Sequence, residues 1–92
     1  MTIEYKVYFR NEDTGDLDDM DFPTWREIKK ILNTVKIGDD VGFGYLEKWI
    51  GDYEDDWDYI TLLTTNKENK VNQFVTWKQA MANEGLTSTG GN

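Results

Sequence analysis

A chain of 92 residues with 18 acidic against 10 basic side chains, a net charge of -8 and neither cysteine nor histidine has the size of one domain. Without cysteine there is no disulfide framework or thiolate metal site, and without histidine the commonest general base and metal ligand is missing. No catalytic residue, metal or cofactor is therefore expected; a carboxylate-only, glycosidase-like mechanism would need a concave site that a domain this small rarely supplies.

Residues 1–10 alternate polar with apolar side chains and lack the basic segment and apolar run of a signal peptide. No stretch is long enough to cross a bilayer, so a cytoplasmic protein without membrane contact is expected. Ile3, Tyr5, Val7 and Phe9 alternate with Glu4, Lys6 and Tyr8, the period of a half-buried strand. An acidic loop, 11–21, follows. Phe22-Pro23-Thr24-Trp25-Arg26-Glu27 then starts a helix: Thr24 caps the free amides while Glu27, three residues on, reaches back to the cap. Trp25, Ile28, Leu32 and Val35 share one face of it, and Lys29, Lys30 and Lys36 fall largely off that face.

Gly38-Asp39-Asp40 predicts a turn, after which Val41, Phe43, Tyr45 and Trp49 share a strand face with Gly42 and Gly44 on the other. Trp57–Leu63, rich in β-formers, predicts the next strand, joined to the one before by the acidic turn 52–56. A turn at Asn66–Asn69 leads to a short strand, Val71–Val75, and Thr76-Trp77-Lys78-Gln79 repeats the capping-box pattern at a second helix that Gly85 stops. The Phe-x-Thr-Trp likeness of the two helix starts follows from shared capping chemistry without requiring a duplication. The expected fold is α+β: a mostly antiparallel sheet of about four strands with two helices, in the order β-α-β-β-β-α. A single domain over 1–86 and a flexible polar tail over 87–92 complete the expectation.

The acid is concentrated. Glu12, Asp13, Asp16, Asp18, Asp19 and Asp21 form one block with no cation among them; Asp39, Asp40, Asp52, Glu54, Asp55, Asp56 and Asp58 belong to a second, and Arg26, Lys29, Lys30 and Lys36 make the helix between them basic. If the chain reverses at each connection, the loop 11–21 and the turn 52–56 converge at one end of the domain, with Asp39 and Asp40 at the other. Crowded carboxylates cost folding free energy through self-repulsion, which invites a functional explanation. Solubility and local turn chemistry account for part of the charge. Neither acidic block has the ligand spacing of an EF-hand loop. Tyr53 and Trp57, set among carboxylates, are candidate aromatic anchors of an interface, whereas Trp25, Trp49 and Trp77 are assigned to the core.

Clustered carboxylates can imitate the phosphates of DNA before a basic cleft, since duplex DNA carries one charge per ~1.7 Å of axis. In length, acidity and the clusters Glu12–Asp21, Asp39-Asp40 and Asp52–Asp58, the chain resembles phage DNA-mimic proteins that block host defence, most closely the anti-restriction nuclease (Arn) proteins of T-even phages. The resemblance implies a homodimer that binds no nucleic acid itself and inhibits a DNA-binding host protein, a modification-dependent restriction endonuclease of the McrBC type, with a nucleoid protein as a second target. The basic helix Arg26–Lys36 departs from a uniformly acidic mimic. A competing class is an acidic immunity-type inhibitor of a basic target that DNA does not displace.

Overall fold

In the computed structural model, which describes residues 2–11, 13–52 and 57–82, the chain folds as β1 (Thr2–Arg10), β2 (Leu17–Asp21), α1 (Trp25–Thr34), β3 (Tyr45–Gly51), β4 (Trp57–Thr65) and β5 (Val71–Phe74). A second helix, α2, covers 77–82 of the described residues. All strand pairings are antiparallel, in the sheet order β2-β1-β3-β4-β5. The α+β class thus holds, but the sheet has five strands rather than four, and its order begins β-β-α. The added strand is Leu17–Asp21, expected as part of an acidic loop.

The reason lies in the turn before it. Asn11 Oδ1 accepts hydrogen bonds from the amides of Asp13 (2.8 Å) and Thr14 (3.3 Å), and Gly15 takes the left-handed conformation, φ 77°. Backbone bonds from Asn11 N to Asp16 O (2.6 Å) and from Gly15 N to Asn11 O (2.7 Å) close the loop. The chain therefore returns along β1, pairing Arg10 with Leu17 and Val7 with Asp21. Three carboxylates are tolerable in this strand because it is an edge, where they stay in water and discourage pairing with other chains.

The helix forms as its sequence predicts. Thr24 and Glu27 complete the capping box, and Val35 ends the helix by donating its amide to Ile31. Ile28 and Leu32 are 0 % and 2 % exposed, whereas Trp25, expected on the buried stripe, is 52 % exposed. Ile31 packs against the core instead. At α2, Gln79 N donates to Thr76 Oγ1 (3.1 Å) and Thr76 N to Gln79 Oε1 (2.9 Å), a second capping box. Trp77, half-buried, stacks on Trp25 with ring centroids 6.4 Å apart.

One face of the sheet carries the core: Tyr5 and Val7 of β1, Leu46 of β3, Leu62 and Leu63 of β4 and Val71 of β5, closed over by Ile28, Leu32 and Ala80 of the helices. A bulge opposite Leu46 and Glu47 gives β4 one extra residue, so the successive Leu62 and Leu63 are both buried. Lys48 is fully buried on this face opposite Tyr5, and both take part in polar or ring contacts.

The strand expected from Val41 begins only at Tyr45. Gly42 sits at φ 74° and Thr65 Oγ1 donates to the carbonyls of Phe43 and Gly44, at 2.9 Å each. Residues 41–44 are thereby anchored to the sheet end as irregular chain, with Phe43 in the core. Tyr45, Glu47 and Trp49 consequently point to the opposite face. The turn Asn66–Asn69 is as expected: Asn66 Oδ1 accepts from the amides of Glu68 and Lys70, and Asn69 adopts φ 61°. The tail 87–92 and the helix stop at Gly85 lie outside the described residues.

Candidate functional site

Because β2 adds one reversal of the chain, the first acidic block and Asp52 do not converge. The β1–β2 turn lies at the Arg10 end of the sheet, while Gly51 pairs with Thr2 and Trp57 with Gly51 at the other end. The ends are separated by the length of β1, roughly 27 Å at strand rise. Asp39 and Asp40, expected opposite the first block, share its end: Asp40 bridges to Lys70, and Val71 N donates to Asp39 O (2.8 Å).

The predicted acidic residues are exposed wherever they are described: Asp13 and Asp16 in the first turn, Asp18, Asp19 and Asp21 on β2, Asp39 and Asp40 before β3, Asp52 after β3 and Asp58 on β4. Glu12, Tyr53, Glu54, Asp55 and Asp56 lie outside the described residues. Several carboxylates accept from neutral N–H groups: Asp18 from the Asn11 amide, Asp21 from Phe22 N (2.9 Å), Asp39 from Lys36 N (2.9 Å) and Asp40 from Gly42 N (3.0 Å). These bonds fix turns and leave the charges uncancelled. The basic side chains Arg26, Lys29 and Lys30 are exposed on α1, which covers the core face. Cations and carboxylates are thus partly segregated, with the helix layer basic and the β2 edge acidic.

The other sheet face bears no helix among the described residues, and it gathers side chains that strand alternation placed there. Register pairs Tyr8 with Tyr45, Lys6 with Glu47, Glu4 with Trp49 and Trp49 with Tyr59. Lys6 Nζ lies 3.9 Å from the Trp49 ring centroid and 5.8 Å from that of Phe22. Trp49 stacks on Tyr59 at 5.2 Å between centroids, with 25° between planes. The result is a ladder, Phe22, Lys6, Trp49, Tyr59, running laterally across the sheet. Phe22 is 57 % and Tyr59 59 % exposed at its two ends, and Met20 and Tyr45 are exposed beside it. Trp57, the described one of the two predicted anchors, is half-buried on the same face two residues before Tyr59.

Beneath the ladder Glu47 is only 7 % exposed and accepts from Trp49 Nε1 at 3.3 Å. Burial first, then the hydrogen bond and negative charge of Glu47, raise the Tyr8 phenol above its ordinary value. Trp49, expected in the core, stands on this face instead, with Lys6, Phe22, Tyr45 and Tyr59, which nothing in the sequence marks as site residues. Alternation showed that these side chains share faces within strands; which face the helices would cover depended on the register.

Two grooves flank the Thr2 end on the helix side. One, of about 410 Å³, is lined by Ile3, Glu4, Tyr5 and 22–25; the other, of about 370 Å³, by Ile3, Tyr5, Trp25, Trp77 and Met81. Glu4 is the one carboxylate in their linings. Among the described residues no helix is long and apolar enough to cross a membrane, and no three Asp or Glu side chains gather to hold a metal ion. Comparison with models of known families, with curated proteins and with solved structures finds no match.

Proposed function

We propose that the chain is a DNA-mimic inhibitor, a binding protein rather than an enzyme, that presents its carboxylates to the basic DNA-binding surface of a host defence protein. A restriction endonuclease of the McrBC type is the target that the family resemblance suggests. The observation that carries this proposal is the disposition of charge: exposed carboxylates line the β2 edge and reach both ends of the sheet, while the basic side chains of α1 lie on the layer covering the core face. A partner cleft lined with Lys and Arg can engage the acidic edge without meeting that helix. Carboxylates spread over roughly 27 Å of strand length match an extended polyanion better than a single focal cluster does. The experiment is capture of partners from a bacterial lysate, then displacement of each by duplex DNA at several salt concentrations. Displacement by DNA with steep salt dependence supports mimicry; partners that DNA does not displace refute it.

The exposed aromatic ladder favours a second reading, an immunity-type inhibitor whose affinity comes from aromatic anchors and shape. The same displacement experiment separates the two.

A further inference from the structure

Among the described residues the sheet has four stretches of unpaired edge, and they are not equivalent: β1 ahead of Val7, where its pairing with β2 ends, carries Glu4 and Lys6 and borders the groove lined by 22–25. β2 is guarded by Asp18, Asp19 and Asp21. β5 is short, and 38–39 already occupy part of its outer side, Gly38 N donating to Val71 O and Val71 N to Asp39 O, at 2.8 Å each. The fourth stretch belongs to β4. Its pairing with β5 involves only Leu63, Thr64 and Thr65, and Val75 N donates to Leu62 O. Nothing among the described residues pairs with the outer side of Trp57–Thr61, whose sequence, Trp-Asp-Tyr-Ile-Thr, is rich in β-formers and holds one charge. Proteins usually blunt such an edge with charge, proline or a covering element. No such device stands here among the described residues, against its presence on β2, and the segment has the free hydrogen-bonding side that an added strand needs.

We infer that the free edge of β4 from Trp57 to Thr61 docks an extended, basic segment of a protein partner, which adds as a strand and lays an arginine against the outer face of Tyr59. The ladder points the same way. Lys6 and Trp49 stand on the β1 and β3 side of Tyr59, so the ring's remaining face looks across the open edge. A residue directly opposite Tyr59 on an added strand would have its Cβ about 5 Å away, close enough for a guanidinium to stack as the next layer. Charge selects the occupant: Asp58 lies exposed within the segment, and the chain carries -8. A second copy carries the same net charge of -8, so its approach is opposed by net repulsion. The basic character of the partner rests on the function proposed above; the open edge does not.

The probe is a synthetic nine-residue peptide of alternating arginine and valine. Its control carries N-methyl groups on alternate backbone amides, which remove the strand's hydrogen bonds and keep its charge. Amide NMR shifts confined to Trp57–Thr61 and their neighbours, with affinity about 5- to 10-fold above the control, are expected, each lost hydrogen bond being worth a few-fold. Tyr59→Ala should weaken binding by about 3- to 10-fold, the size of one cation–π contact, and Tyr59→Phe should keep it. Equal affinity of peptide and control, with shifts centred on Asp18, Asp19 and Asp21, overturns the edge and leaves an acidic binding protein. Binding that survives Asp18→Asn, Asp19→Asn and Asp21→Asn but falls with Tyr59→Ala keeps the edge and removes the acidic surface from the proposed function. A concentration-dependent dimer in sedimentation that Tyr59→Ala dissociates overturns the proposal in favour of a second copy, and absence of binding by either peptide overturns it outright.

Discussion

Replacing Lys6 by methionine retains a long flexible stem on β1 and deletes the charge held between Phe22 and Trp49. Two contributions vanish. The contact with Trp49, at 3.9 Å from the ring centroid, lies well inside the ~6 Å range of a cation–π attraction and on a half-buried side chain, so it is worth about 1 kcal/mol; Phe22 at 5.8 Å adds a small fraction of that. Lys6 also stands directly opposite Glu47, a cross-strand pair of opposite charge worth roughly 0.2–1 kcal/mol. The sum is about 1.5 kcal/mol, enough to lower Tm by roughly 6–12 °C in a domain of this size. Urea unfolding followed by circular dichroism measures the loss. A cycle of Lys6→Met, Trp49→Leu and the double variant isolates the contact itself, with an expected coupling near 1 kcal/mol. A coupling below about 0.3 kcal/mol, within the additivity error of independent sites, would refute the ladder as an energetic unit and leave it a coincidence of placement.

Three further outcomes follow from the same coordinates. Thr24→Ala removes the cap that receives Glu27 N at 3.4 Å and should cost about 1 kcal/mol in thermal unfolding; Thr24→Ser should cost little. Ile28→Ala empties a position of zero exposure and should cost about 2–5 kcal/mol, a large part of the stability of a small domain, as a lowered urea midpoint at unchanged slope will report. In an absorbance titration of tyrosinate, the Tyr8 phenol should ionise above its ordinary value, since burial and Glu47 raise its pKa. The folded value exceeds the unfolded one, so the neutral phenol's contribution is complete below the ordinary tyrosine value near ~10 and is lost as pH rises through the folded value. Tyr8→Phe should remove that contribution from the titration.

Local chemistry was legible and the global direction of the chain was not. Thr24-x-x-Glu27 and Thr76-x-x-Gln79 define their own helix starts, because a capping box is closed by residues three apart. The alternation Ile3 to Phe9 defines its own strand. Leu17-Asp18-Asp19-Met20-Asp21 does neither: its composition is that of a loop, and it becomes a strand because the Asn11–Gly15 turn lays it against β1, whose pairing groups need a partner. That tertiary override had a disproportionate consequence. One uncounted strand reverses the direction of every later element, which is why Asp39 and Asp40 share the end of the first acidic block and Asp52 does not.

The same strand changes how much of the acid needs a functional explanation. Asp18, Asp19 and Asp21 lie on an edge that would otherwise pair with foreign chains, so edge protection accounts for their presence whatever they bind. Edge protection does not account for β4, where nothing among the described residues pairs with the outer side of Trp57–Thr61, and Tyr59 stands exposed with Asp58 as the segment's single charge. Among the described residues, three carboxylates guard the β2 edge and one lies along the unpaired stretch of β4, so the two stretches differ in kind. The acidic edge repels strands and draws cations at a distance; the aromatic edge offers hydrogen bonds and a ring face at contact. A basic partner would use both in sequence, with charge setting the rate of encounter and its salt dependence and the β4 edge setting the lifetime of the complex.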